Sequence, residues 1–231
     1  MRGGVSFGSG ARLTGGDHMQ TGNLRTFALL GTIGAWMVIA MSLVCAMVIV
    51  MWAAYHNPYN ELDLLTGLLF LSRIALNAVF ALSAIPVLLW FFTAHANLRN
   101  AGMQGLRYSP GWATFSFLVP LANLYVPFAA TRELANRSAG EPEHLADSSV
   151  DAVTSWWGCW VASAIVMTLV TVFTFIDAIP GVHVIVPTLA TMLILMFGQL
   201  LFAGSAFFLI KMMRLVTDSQ IHGAVDLTEF E

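Results

Sequence analysis

An all-α, polytopic membrane fold is predicted by three features of this 231-residue chain. Hydrophobic residues make up 58% of it and charged residues only 10%, against roughly half and about a quarter in soluble domains. Several runs are long and apolar enough to cross a hydrocarbon core of about 30 Å, which takes roughly 20 residues as a helix. Between two of them, the apolar segment 111–130 is interrupted by Pro120 and Pro127, with Pro110 just ahead of it. Together these predict four transmembrane helices plus a proline-broken re-entrant or interfacial helical segment.

Each element has its own justification. Residues 1–24 are Gly-rich and polar, a composition that cannot bury enough surface to offset its ordering entropy. A disordered tail is expected there, with Met19 as an alternative start, ahead of a single transmembrane domain over 25–216. The first span, 27–54, carries no charge and exceeds the apolar core of a cleaved signal peptide, so it reads as retained. Within "GTIGA", Gly31 and Ala35 stand four apart, a spacing that permits close helix contact. The polar turn "HNPYNELD" (56–63) leads to the second span, 64–93, which holds Arg73, Asn77 and Pro86.

After the broken segment, residues 131–153 form a polar loop in which Ser148 and Asp151 have capping-box spacing. The next span, 154–176, opens on "SWWGCW". Trp156, Trp157 and Trp160 suit an anchor at headgroup depth, where amphipathic rings concentrate. The turn "DAIPGVH" leads to the last span, 184–210, closed by Lys211 and Arg214 and followed by a polar tail over 217–231. Cys45 and Cys159 both lie in apolar runs and read as buried thiols packed as small hydrophobes.

Charge placement separates two topologies. If segment 111–130 crosses, Arg2, Arg12, Arg25, Arg99 and Arg107 fall on one side and Arg132, Arg137, Lys211 and Arg214 on the other. If it turns back, all nine share one side, and the loops on the other side contain no Lys or Arg. Lys and Arg concentrate in cytoplasmic loops, so the second arrangement is expected, with both termini cytoplasmic. Prolines remove amide donors and obstruct the preceding turn. A backbone interrupted in this way is tolerated at membrane depth only where protein or a wet cavity satisfies it.

That topology gathers Asn97, Arg107, Trp112, Asn123, Arg132 and Glu133 at the cytoplasmic face. Arginine forks match phosphate oxygens and amides complete the hydrogen bonding, which suits a lipid, anion or partner site. Alternatively, Asn97 and Asn123 satisfy backbone groups freed by the prolines. A second candidate site is intramembrane: Arg73, Asn77, Asp177 and Gln199. A charge inside a span is a functional suspect by default; either Arg73 pairs with Asp177 or a loop carboxylate, or it lines a path. No CxxC, HExxH, phosphate-binding glycine loop or serine elbow occurs, so no catalytic residue, metal site or cofactor is assigned.

The stretches "WFFTAHANLRNAG", "RYSPGWATFSFLVPLANLYVPFAATRELANRS" and "SWWGCW", between Trp90 and Trp160, resemble a family of bacterial integral membrane proteins catalogued as a domain of unknown function. The match rests on Asn97, Leu98, Gly102, Pro110, Trp112, Pro120, Asn123, Leu124, Pro127, Glu133 and the Trp156–Trp157 pair. The resemblance implies a small multi-pass protein of the bacterial cytoplasmic membrane and brings no mechanism. The expectation is a non-enzymatic protein that binds lipid or a partner through its cytoplasmic-face motif. A transporter or channel subunit and a lipid-headgroup-modifying enzyme, with Glu133 or His95 as base, are the alternatives. Membrane lipids, a second copy of the chain or another membrane protein are the expected partners, and nucleic acid is not.

Overall fold

The computed structural model describes residues 15–55, 64–177, 179–181 and 186–226. Among these the chain is helical and contains no strand. The helices are α1 (Gly15–Tyr55), α2 (Leu64–Asn100), α3 (Pro110–Phe115), α4 (Val126–Ser138), α5 (Asp151–Asp177) and α6 (Thr188–Asp226). Four are long and apolar enough to cross a membrane, over Thr21–Tyr55, Leu64–Asn100, Asp151–Asp177 and Thr188–Ile221. The protein is therefore a polytopic α-helical membrane protein.

The first and last helices form the central pair. α1 packs against both α2 and α6, α6 also packs against α5, and α2 and α5 are not a packed pair. The α1–α2 seam is set by Gly34, where an added Cβ would lie 2.8 Å from the Ser83 Cβ. Only glycine permits that approach. Gly31 is also buried, against Met213 and Val87, and Ala35 is buried too. The α5–α6 seam carries a hydrogen bond from the Ser163 hydroxyl to the Gly198 carbonyl, at 3.0 Å.

Three boundaries differ from expectation. Helix α1 starts at Gly15, so residues 15–24 are helical where a disordered tail is expected. Leu24 is fully buried in the core, a single apolar contact that shows no periodicity. Residues 1–14 lie outside the described residues. At the other end, α6 continues past Lys211 to Asp226, through much of the expected polar tail. Met212, Met213, Val216 and Thr217 are buried, and their spacing gives that continuation one apolar face. Third, α4 occupies part of the expected 131–153 loop.

The proline-broken segment has a definite form. Ser109 caps α3, accepting from the Trp112 amide at 3.2 Å, and Pro110 opens the helix. The first helical turn has no use for an amide donor, so proline costs nothing there. Short 3-10 turns follow at Ser116–Leu118 and Ala122–Leu124, with Pro120 between them. Pro127 then sits in the first turn of α4. Two of the three prolines thus start helices and one separates turns. The longest helix in the segment, α4, has 13 residues, short of the roughly 20 needed for a crossing.

The segment packs on the end of the bundle where α2 finishes and α5 begins. Trp90, Phe91, Ala94 and Leu98 of α2 join Ala113, Ala130, Leu134 and Trp156 in one core. Continuation of α6 locks this end, since Trp90 Nε1 donates to Thr217 Oγ1 at 2.9 Å. Gln220 Nε2 donates to the Ala94 carbonyl and to Ser138 Oγ, both at 3.0 Å.

Candidate functional site

Because α2 and α5 stand apart, a lateral cleft runs between them with α1 and α6 as its floor. Its first part is a cavity of about 270 Å³ beside the broken segment. Val38 of α1, Phe80 and Val87 of α2, Trp160 of α5 and Phe202 of α6 line it. Phe117, Leu118 and Asn123 close its end. The second part, about 350 Å³, is lined by Arg73, Asn77, Ser163, Met167, Thr171 and Gln199. Phe80, Trp160 and Phe202 border both, so an apolar groove and a polar chamber adjoin.

The tryptophans wall this cleft. Trp157 stacks on Trp160 with centroids 5.0 Å apart, and on Phe128 of α4 at 6.2 Å. Trp156 is buried and its ring lies 6.4 Å from that of Phe117. These rings form an inward aromatic wall, for which the α4 cap supplies Phe128 as a stacking surface.

The structure brings Arg73, Asn77 and Gln199 together in the chamber and does not bring Asp177 to them. Arg73 Nη2 lies 3.5 Å from Met167 Sδ. Asp177 is ten residues further along α5, about 15 Å at 1.5 Å per residue. Geometry therefore replaces the Arg73–Asp177 pair with a thioether contact. Gln199 is 4% exposed, and its Oε1 is buried without a hydrogen-bond partner. Ser163, Met167 and Thr171 complete the chamber without having been singled out from the sequence. Their four-residue recurrence, which places them on one helical face, is the signal that would have found them.

The candidates expected at the cytoplasmic face fall into separate places. Asn97 faces α6, its Nδ2 donating to Gln220 Oε1 at 3.3 Å. Asn123 lines the apolar groove, with its Oδ1 buried and unpartnered. Glu133 is buried, and its carboxylate accepts the Arg107 amide at 2.7 Å and the Tyr108 amide at 3.4 Å. Arg107 and Arg132 bracket the Asp147 carboxylate at 3.1 and 3.5 Å, and Arg132 also covers the Phe128 ring. Trp112 is half-exposed on α3.

Arg137, counted from the sequence only as a surface charge, is buried and ties the cap together. It donates to the Glu141 carbonyl at 3.1 Å and to the Gln104 carbonyl at 2.7 Å. Asn136 similarly donates to the Ala146 and Ser148 carbonyls. The Ser148 hydroxyl is spent on the Leu145 carbonyl at 2.6 Å and not on the expected capping box. Burial raises the Tyr108 phenol above its ordinary pKa, the neighbouring Arg107 guanidinium partly offsetting the shift.

Fold and site together define a polytopic helical membrane protein with a lateral cleft that is polar at one end and aromatic at the other. The chain belongs to the family described as a domain of unknown function (DUF4328), whose family model matches residues 57–218. That match runs from the start of α2 into the continuation of α6, and so includes three of the four walls of the cleft. No curated protein and no solved structure matches the chain.

Proposed function

We propose that the protein is a non-enzymatic membrane protein that binds an amphiphile in the cleft between α2 and α5, with both termini cytoplasmic. The observation that carries this reading is the junction of a tryptophan-walled groove with a polar chamber inside the bundle. Ligand sites combine a mostly apolar lining with a few convergent polar groups, and this cleft has both in one continuous space. The four candidate spans support this topology, because an even number of crossings returns the chain to the side from which it started, the end of the bundle that carries the cap. Arg25, Arg99, Arg107, Arg132, Arg137, Lys211 and Arg214 all sit at that end.

Other readings fare less well. Glu133 already accepts two backbone amides, His95 is fully buried with its Nδ1 on the Phe91 carbonyl at 3.0 Å, and neither residue lines the cleft where a substrate would sit. An ion path through Arg73, Asn77 and Gln199 would run into the apolar groove toward the cap. The cytoplasmic-face motif holds the cap in place, which moves lipid binding from that face into the cleft.

The test is native mass spectrometry of the protein extracted with its membrane lipids. One non-covalent amphiphile per chain is expected on the wild type. Ala84→Phe, which fills the groove, should remove it while helicity by circular dichroism is kept. An adduct unchanged in the folded variant would overturn the reading.

A further inference from the structure

The polar chamber holds a permanent positive charge near mid-membrane. Arg73 is about 14 Å along α2 from Leu64 at 1.5 Å per residue, and it meets α5 at Met167, close to the middle of Asp151–Asp177. Among the described residues its guanidinium has no carboxylate partner. The thioether it touches at 3.5 Å is a weak, uncharged acceptor. A guanidinium carries five donors in a planar fork and does not deprotonate in proteins. Leaving such a charge uncompensated in a low-dielectric site is strongly unfavourable.

The surroundings add hydrogen-bonding capacity and no negative charge. Gln199 lines this space and its amide oxygen is buried without a partner, so reorientation of the amide can bring its N–H groups to a ligand there. Asn77 stands one turn from Arg73 on the same side of α2 and lines the same chamber. The hydroxyls of Ser163 and Thr171 are already committed to carbonyls at 3.0 and 2.8 Å. Donors therefore converge on a space large enough for more than an ion, and that space opens past Trp160 into the apolar groove.

We infer that the chamber binds the carboxylate of a single-chain acidic amphiphile through Arg73, Asn77 and Gln199, with the apolar chain lying in the tryptophan-walled groove. The inference rests on the amphiphile-binding reading and adds the charge, the recognition residues and the orientation. A phospholipid in its leaflet keeps its headgroup at the surface and its chains at the mid-plane. This cleft reverses that order, with the charge site deep and the apolar groove near the cap. A free fatty acid, with one chain and a compact planar anion matched to the arginine fork, satisfies both ends.

The experiment titrates the full-length protein in nanodiscs with dodecanoic acid brominated on its tail, reading quenching of tryptophan fluorescence. The equally brominated dodecanol is the uncharged control. The acid is expected to half-quench at a concentration at least tenfold lower than the alcohol. Arg73→Met should abolish that preference, weakening the acid at least tenfold more than the alcohol, and Arg73→Lys should retain part of it. With no variant at all, lowering the pH until the acid is protonated should bring it to the alcohol's value, because Arg73 keeps its charge.

Equal quenching by acid and alcohol in the wild type overturns the carboxylate assignment and leaves amphiphile binding standing. Quenching by neither, beyond that in protein-free discs doped with free tryptophan octyl ester, overturns both. Full displacement of the acid by acetate at equal concentration would show a site for small anions and overturn the assignment of the chain to the groove.

Discussion

The Glu133 carboxylate receives the backbone amide of Arg107 at 2.7 Å, from a residue twenty-six positions earlier. A buried side chain on α4 thereby anchors the loop leaving α2, and the Tyr108 amide adds a second donor at 3.4 Å. The pair converts a sequence that breaks its own helix into a fixed cap over the cleft. Hydrogen bonds to a charged group contribute about 1.5–3 kcal/mol each, and a buried donor left unmet costs about 1–3 kcal/mol.

Glu133→Ala should therefore lower the melting temperature of the solubilised protein more than Glu133→Gln, which retains one acceptor oxygen. The expected loss is about 2–3 kcal/mol for Ala and about half that for Gln. Equal melting temperatures for the wild type and the Ala variant would show that the loop is held by other contacts.

The α1–α2 seam makes a contrasting pair of glycines. At Gly34 an added methyl meets Ser83 at 2.8 Å, whereas at Gly67 it meets nothing within 4 Å. Gly34→Ala should destabilise by about 1–3 kcal/mol through overpacking. Gly67→Ala should be neutral or stabilise by up to about 1 kcal/mol, since helix propensity alone changes. Thermal unfolding of both variants checks the difference.

Continuation of α6 past Lys211 depends on the Trp90–Thr217 hydrogen bond. Trp90 is fully buried, so Thr217→Val strands its indole N–H at a cost of about 1–3 kcal/mol. Thr217→Ser keeps the hydroxyl and should recover most of that loss. Thermal denaturation gives the stabilities, and trypsin cleavage after Lys211 or Arg214 should speed up in the Val variant only.

Topology is tested by single cysteines at the exposed positions Asn23, Gln104 and Ser149, in a background with Cys45 and Cys159 replaced by alanine. All three should react with an impermeant maleimide from the cytoplasmic side only. Labelling of Ser149→Cys from the opposite side to Asn23→Cys would sink the four-crossing arrangement.

The four spans were legible because charge-free windows of sufficient length admit few other structures in water or lipid. Which face of each span turns inward was not, since helices apolar all round carry no moment to read. The tryptophans of α5 show the consequence: their inward stacking depends on Phe128, a residue of another helix. The burial of Met212, Met213 and Val216 depends likewise on contacts with distant elements. Of the two candidate sites, the intramembrane one was visible as rare polar residues in apolar runs. Ser163, Met167 and Thr171 escaped notice because small hydroxyls and methionine are ordinary packing residues there. The residues expected at the cytoplasmic face were grouped by the turn-back topology, and the structure gives them separate partners: Asn97 meets Gln220, Arg107 and Arg132 meet Asp147, and Glu133 accepts backbone amides.

The pairing of the first helix with the last has a consequence for biogenesis. Chains are made from the N-terminus, and early segments fold before late ones exist. α1 can form its hairpin with α2 as soon as both have entered the bilayer, but its other face stays open until the final helix arrives. α5 and α6 form the second hairpin. The tertiary structure is thus completed by docking two preformed halves once α6 has been made. An interrupted chain lacking α6 would leave both the centre of the bundle and the floor of the cleft unbuilt, marking it for quality control as unassembled.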